Sequence, residues 1–143
     1  MITETEILKL KNIQTPFYYY NTSLLKETLK QLIQASEKYK FIIHYALKAN
    51  SNTEIVNIIQ AYNLGADCVS GNEIKKAIEC NYASKHIVFA GVGKSDIEIN
   101  YALDNSIFCF NCESLQEIEV INELANAKNK IAQIALRINP NVN

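Results

Sequence analysis

Phe41-Ile42-Ile43-His44-Tyr45-Ala46-Leu47-Lys48-Ala49-Asn50-Ser51 is an apolar run that closes on a lysine and passes at once into a helix-start signal, Ser51 with Glu54. A continuous apolar run of this length is what a parallel strand covered on both faces requires. The residues after the run separate two parallel architectures. A dinucleotide-binding sheet needs a glycine-rich turn after its first strand, so that the backbone can approach a pyrophosphate. Here Lys48-Ala49-Asn50-Ser51-Asn52 stands in that place, which counts against that reading and favours the (β/α)8 barrel. The lysine is itself informative. An ammonium at the exit of a buried strand is expensive unless it is paired or deprotonated, and an amine deprotonated by desolvation is a nucleophile suited to Schiff-base chemistry.

Working outward, the same pattern recurs. Ser51/Glu54, Ser70/Glu73, Ser95/Glu98 and Ser114/Glu117 each follow an apolar run and precede a helical one. This is capping-box spacing, in which the serine accepts from a first-turn N–H and the glutamate reaches back to the cap N–H. The resulting reading is strand 41–48, helix 52–62, strand 65–69, helix 71–80, strand 86–91, helix 95–104, strand 107–112, helix 115–127 and strand 131–138, preceded by a short strand at 17–20 and a helix over 23–39. Ile55, Ile58, Ile59 and Tyr62 form one apolar helix stripe, and Leu115, Ile118, Ile121 and Leu124 another. Strands alternating with helices predict a parallel α/β sheet. Five such strands amount to part of a TIM-type barrel, whose complete form takes about 250 residues. The expectation is therefore the first five strands of a barrel in a longer protein, cut before closure.

Composition narrows the class. The chain has 143 residues, 48% apolar and 20% charged, with formal net charge −1. That suits a soluble domain with its own core and gives no field directed at nucleic acid or an anionic membrane. No apolar run reaches membrane-spanning length, and the N-terminus has no basic-then-apolar leader, so a cytoplasmic location is expected. Four cysteines are present, at 68, 80, 109 and 112, and are expected to be reduced. Cys109 and Cys112 form a CxxC, but no second pair completes a four-ligand metal site, and in a strand residues three apart face opposite sides.

In barrel enzymes the reacting groups stand at the C-terminal ends of strands. Lys48, Asp67, Ser70 and Arg137 fall there. Lys48 as a loop lysine, Asp67 as a turn cap, Ser70 as a helix cap and Arg137 as a salt-bridge partner are the competing structural readings. His44 shares the parity of Lys48 and is expected to be a hydrogen-bonded core histidine. His86 is expected at the surface. Gly91-Val92-Gly93-Lys94-Ser95 is similar to the end of a phosphate loop but lacks its earlier glycine.

Together, Tyr45-Ala-Leu-Lys-Ala-Asn50, Gly65-Ala-Asp-Cys-Val-Ser-Gly-Asn-Glu73, Ile87-Val-Phe-Ala-Gly-Val-Gly-Lys94, Phe110-Asn-Cys-Glu-Ser114 and Leu136-Arg-Ile-Asn-Pro140 resemble, in order, motifs of the fold-type III pyridoxal-phosphate decarboxylases, whose barrel is alanine racemase-like. The opening Thr15-Pro-Phe-Tyr-Tyr-Tyr20 fits as well, so the resemblance runs from about residue 15 to the end. It implies pyridoxal 5′-phosphate as cofactor and Lys48 as the lysine that holds it covalently and moves protons. Asp67 and Arg137 become cofactor support. Ser70 and Glu73 match the motif, but capping accounts for both.

The resemblance also implies a small amino-acid substrate and a homodimer for the intact enzyme. Residues 1–22 would belong to a C-terminal β-domain, and residues 23–143 to the barrel. Among the family's substrates, the Gly91–Ser95 segment favours meso-diaminopimelate, and hence lysine biosynthesis, over ornithine, lysine, arginine or carboxynorspermidine. The family's phosphate loop, pyridine-nitrogen partner and substrate-binding arginines would lie beyond residue 143, so the 143-residue piece alone is expected to be inactive. A non-catalytic pyridoxal-phosphate carrier built on a lone barrel is the reading from a different class.

Overall fold

The structure is a computed structural model and describes residues 3–140. Its elements in order are α1 (Glu4–Leu10), α2 (Thr22–Glu37), β1 (His44–Ala46), α3 (Thr53–Gln60), β2 (Gly65–Cys68), α4 (Gly71–Glu79), β3 (Ile87–Phe89), α5 (Asp96–Asp104), β4 (Cys109–Cys112), α6 (Leu115–Ala127) and β5 (Ile134–Leu136). Short 3-10 turns occupy Leu47–Ala49 and Ser84–His86. The five strands form one parallel sheet in the order β1-β2-β3-β4-β5. Sequential neighbours joined by crossover helices are the arrangement of successive barrel strands.

Register assigns the faces. Ala46, Asp67, Val88 and Cys109 stand in one row across β1 to β4. Cys68, Phe89, Phe110 and Ile134 stand in the next, and alternation sends the two rows to opposite sides of the sheet. The second side carries the core. Ala66, Cys68, Ile87, Phe89, Phe110 and Cys112 pack against Val56, Ile74, Ala77, Ile99, Ala102, Leu103, Ile121 and Ala125 of the helices. Phe89 and Phe110 tilt against each other at 6.1 Å between centroids, a favourable aromatic geometry. A smaller cluster of Leu29, Ile55, Ile59 and Leu64 fastens α2 to α3. The first side, with Asp67 and Val88 only partly buried, is the face a barrel turns inward.

Several expectations change. The long first strand contracts to three residues, with Phe41 and Ile42 exposed, because β1 pairs on one side only and Leu47–Ala49 has already turned into a 3-10 coil. Residues 17–20 make no strand and join neither edge of the sheet, and α1 forms where no helix was expected. All three residues of β5 are exposed, because it closes the sheet at its other edge. The helix starts divide. Ser70, Ser95 and Ser114 each accept from the N–H three residues on. Ser51 does not: Asn52 caps α3 instead, accepting from both Glu54 and Ile55. Only Ser95/Glu98 is fully reciprocal. Glu73 and Glu117 reach one residue further, to the N–H groups of Val69 and Glu113.

Candidate functional site

Lys48 lies in the 3-10 turn at the end of β1. Leu47, fully buried, anchors this turn from beneath. Two hydrogen bonds fix the next residues: the Tyr45 hydroxyl donates to the Asn50 carbonyl at 3.0 Å, and the Asn52 N–H donates to the Asn50 side chain at 2.9 Å. The result is a rigid turn with the Lys48 side chain exposed and, among the described residues, without a hydrogen bond or ion pair. The expected burial of this lysine is therefore absent, because the described residues place nothing over the inner face.

Asp67 stands in register with Ala46, two residues before Lys48. Its Oδ1 is buried and has no hydrogen-bond partner. A buried acceptor left unpaired is destabilising by about 1–3 kcal/mol, and folded proteins leave few of them. Arg137 follows β5 two residues after Ala135, the register partner of Asn111, and so falls on their inner face at the C-terminal end of the sheet. Its N–H donates to the Cys112 carbonyl at 2.9 Å, and its Nη1 meets Glu113 Oε1 at 3.1 Å. Asp67 and Arg137 thus share the inner face, and all three residues expected at the site share one rim. Lys48 and Asp67 are on adjoining strands, and Arg137 is on the far edge, three strands from Asp67.

Ser70 and Glu73 are consumed locally. Ser70 caps α4, and Glu73 Oε2 accepts from the Val69 N–H at 2.8 Å. His44 is only partly the satisfied core histidine anticipated. It is half-buried and hydrogen-bonds the backbone of Ile42, while its Nε2 is buried without a partner. Burial holds its pKa below the ordinary histidine value, opposed by the Asp67 charge. His86 is half-buried, not a surface residue, and its carbonyl closes over Gly65. The four thiols are buried, and burial pushes Cys68 up to about 12. Cys109 and Cys112 both turn to the Phe110 carbonyl at 3.6 Å.

The sequence reading missed Lys94. Its side chain is 1% exposed, and its Nζ donates to Gly91 O at 2.7 Å, Asn111 O at 2.9 Å and the Glu117 carboxylate. The segment similar to a phosphate loop is therefore a buried ammonium with all three donors met by protein oxygens. The spacing from Lys94 to Glu117 carries no local signal, since the two lie on different βα units.

Residues 24–143 match the family model described as pyridoxal-dependent decarboxylase, pyridoxal binding domain. Over 135 residues the chain is 54% identical to the diaminopimelate decarboxylase of Bacteroides thetaiotaomicron, an alignment covering 94% of this chain and 35% of that protein. Its fold superposes on a solved diaminopimelate decarboxylase from M. jannaschii with a TM-score of 0.90 at 36% identity, covering 96% of this chain and 33% of that one. The Helicobacter pylori enzyme complexed with L-lysine superposes with a TM-score of 0.82 at 38% identity, covering 95% and 34%. The chain thus spans about a third of the length of the relatives it matches. A parallel sheet of sequential strands, a free lysine amine and an orphaned carboxylate oxygen on its inner rim, and a family match over most of its length place this chain in the pyridoxal-dependent decarboxylase family, as its pyridoxal-binding domain.

Proposed function

We propose that this chain is the cofactor-bearing N-terminal part of a diaminopimelate decarboxylase, a longer protein that converts meso-2,6-diaminopimelate to L-lysine and carbon dioxide in lysine biosynthesis. The observation that carries the reading is the pairing on one rim of an unengaged Lys48 amine with an Asp67 oxygen that is buried and unpartnered. Residues that fit a pyridoxal group are an amine free to condense with its aldehyde and polar atoms left open by the protein itself. Bound there, the cofactor supplies an electron sink for the electron pair released as carbon dioxide leaves.

Lys48 would hold the cofactor covalently through its amine, and its Nζ would be the group placed to carry a proton. Asp67, on the adjoining strand in register with Ala46, would give polar support. Arg137, oriented by Glu113, supplies a positive charge at the far side of the rim. The diaminopimelate assignment is supported by the 54% and 38% identities to enzymes of that name, against 25% to an arginine decarboxylase of similar fold. The intact protein is proposed to be a cytoplasmic homodimer, with residues 1–22 belonging to a second, β-rich domain and residues 23–143 to the barrel. The 143-residue chain alone is proposed to be inactive, with both edges of its sheet unpaired among the described residues.

The test uses the full-length protein loaded with pyridoxal phosphate, reduced with borohydride and peptide-mapped, with carbon dioxide release measured on meso-diaminopimelate, ornithine, arginine and lysine. A single adduct on Lys48 with turnover greatest on meso-diaminopimelate is expected. Adducts scattered over several lysines overturn the site, and faster turnover of another substrate overturns the specificity.

A further inference from the structure

Among the described residues, the C-terminal rim also carries a connected set of charges, Lys94, Glu117 and Glu113, that ends at Arg137. The Lys94 ammonium is enclosed, with Nζ 5.3 Å above the Phe89 ring and its three hydrogen bonds made to Gly91 O, Asn111 O and Glu117 Oε1. Glu117 is only 12% exposed and uses both of its oxygens. Oε1 takes Lys94, and Oε2 accepts from the Glu113 N–H at 2.6 Å. The Glu113 carboxylate in turn accepts from Arg137 Nη1 at 3.1 Å, with the Glu113 side chain 14% exposed and Arg137 54%. A buried charge leads in three contacts to an exposed one on the inner rim.

This arrangement exceeds what helix capping needs. Ser114 already caps α6 by accepting from the Glu117 N–H at 3.2 Å. Fixing the β3–α5 loop to β4 needs an anchor, yet an apolar side chain over Phe89 would provide one without taking an ammonium out of water. In some proteins a buried ion pair holds geometry at a cost in stability. The atom held here is the Glu113 backbone nitrogen, one bond from the Cα that carries the carboxylate facing Arg137.

We propose that the Lys94–Glu117 pair is a positioning device, setting Glu113 and through it the guanidinium of Arg137 at the cofactor rim. The proposal rests on the reading of Arg137 as cofactor support. Lys94 and Glu117 touch neither cofactor nor substrate; they act through Glu113. The arrangement is a fixed strut, since each polar atom of Lys94 and of the Glu117 carboxylate has its partner.

The experiment uses the full-length protein and reads cofactor affinity, by titrating the cofactor-free form with pyridoxal phosphate, beside thermal unfolding. Glu117→Gln leaves one acceptor where two are needed, so either Lys94 or the Glu113 N–H meets an amide NH2. The cofactor Kd is expected to rise about tenfold, a coupling of ordinary size for neighbouring residues in one network. In an Arg137→Ala background the same substitution is expected to add less than twofold. Glu113→Gln leaves the buried pair intact and keeps the test open should Glu117→Gln fail to fold; it is expected to weaken the cofactor in the same direction. A lowered unfolding temperature with a Kd within twofold of the parent in both variants overturns the proposal, as does a full multiplication of the Glu117→Gln and Arg137→Ala losses. A parent protein that takes up no pyridoxal phosphate overturns the proposed function and the strut with it. A parent that binds normally beside unmoved variants overturns the strut alone.

Discussion

The imidazole of His44 lies across Gly65 so closely that a Cβ built there would stand 2.3 Å from His44 Cδ2, with the His86 carbonyl oxygen at 2.7 Å on another side. Gly65 is a glycine for lack of room, since its register partner His44 and the His86 carbonyl at the entry to β3 both close on it. Gly65→Ala is expected to destabilise the protein by about 1–3 kcal/mol, the range for overpacking a filled site. A second change, His44→Ala, removes the ring but not the His86 carbonyl, so the double variant recovers only part of the loss. Urea unfolding of the three variants measures this, and an unchanged midpoint for Gly65→Ala would contradict the packing described.

The same ring makes stability depend on pH. Burial lowers the His44 pKa below its ordinary 6.5, with the Asp67 carboxylate pulling upward and His86 adding a downward push. The folded protein therefore binds fewer protons at His44 than the unfolded chain just below pH 6.5. Stability is complete above that pH and declines as pH falls toward the folded pKa. Unfolding free energies from pH 7.5 to 5 are expected to fall, and His44→Gln is expected to flatten that slope. A slope unchanged by the substitution would assign the titration to another group.

Glu98 joins two βα units. It accepts from the Gly71 N–H at 2.8 Å in α4 while closing the capping box of its own helix on Ser95. These contacts hold its carboxyl below the ordinary range, the Gly71 N–H contributing most. Glu98→Gln is expected to lower stability by about 1–2 kcal/mol at neutral pH, the scale of a lost cap. A depressed carboxyl pKa contributes stability above the unfolded value and loses it as pH falls through the folded value. The gap between parent and variant should therefore close below about pH 4. A gap that persists at pH 3 would show the loss to be packing, not charge.

How much was legible depends on where each signal lives. Sheet order and helix starts are local, so serine–glutamate spacing and apolar runs disclosed α4, α5 and α6 almost to the residue. Asn52 displaced Ser51 at the start of α3 because two adjacent residues can both cap, and the choice depends on backbone geometry already set by Asn50. The ends of the helices were less visible. Asn63, Asn81, Ser106 and Asn129 adopt positive φ after α3, α4, α5 and α6, a conformation asparagine tolerates better than most residues and a signal that apolar periodicity does not carry. Lys48, Asp67 and Arg137 were legible as strand ends. The burial of Lys94 was not, because Gly91, Asn111 and Glu117 come to it from separate parts of the chain.

Asp67 sets stability against function. Its Oδ1 is buried on the inner face with no donor, and removing an unsatisfied buried polar atom relieves its desolvation penalty. Asp67→Val places a β-branched residue of good strand propensity in the row of Ala46 and Val88. Thermal unfolding of this variant is expected to show a gain of about 1 kcal/mol. The same variant of the full-length protein is expected to retain pyridoxal phosphate poorly on dialysis, because the polar support on the strand adjoining Lys48 is gone. A site kept for binding gains stability when its charge is removed and loses its ligand, the trade-off expected where function holds an unfavourable group in place. A destabilised Asp67→Val would mean the carboxylate is satisfied in the folded protein. Undiminished cofactor retention would mean that Asp67 serves the sheet and not the cofactor.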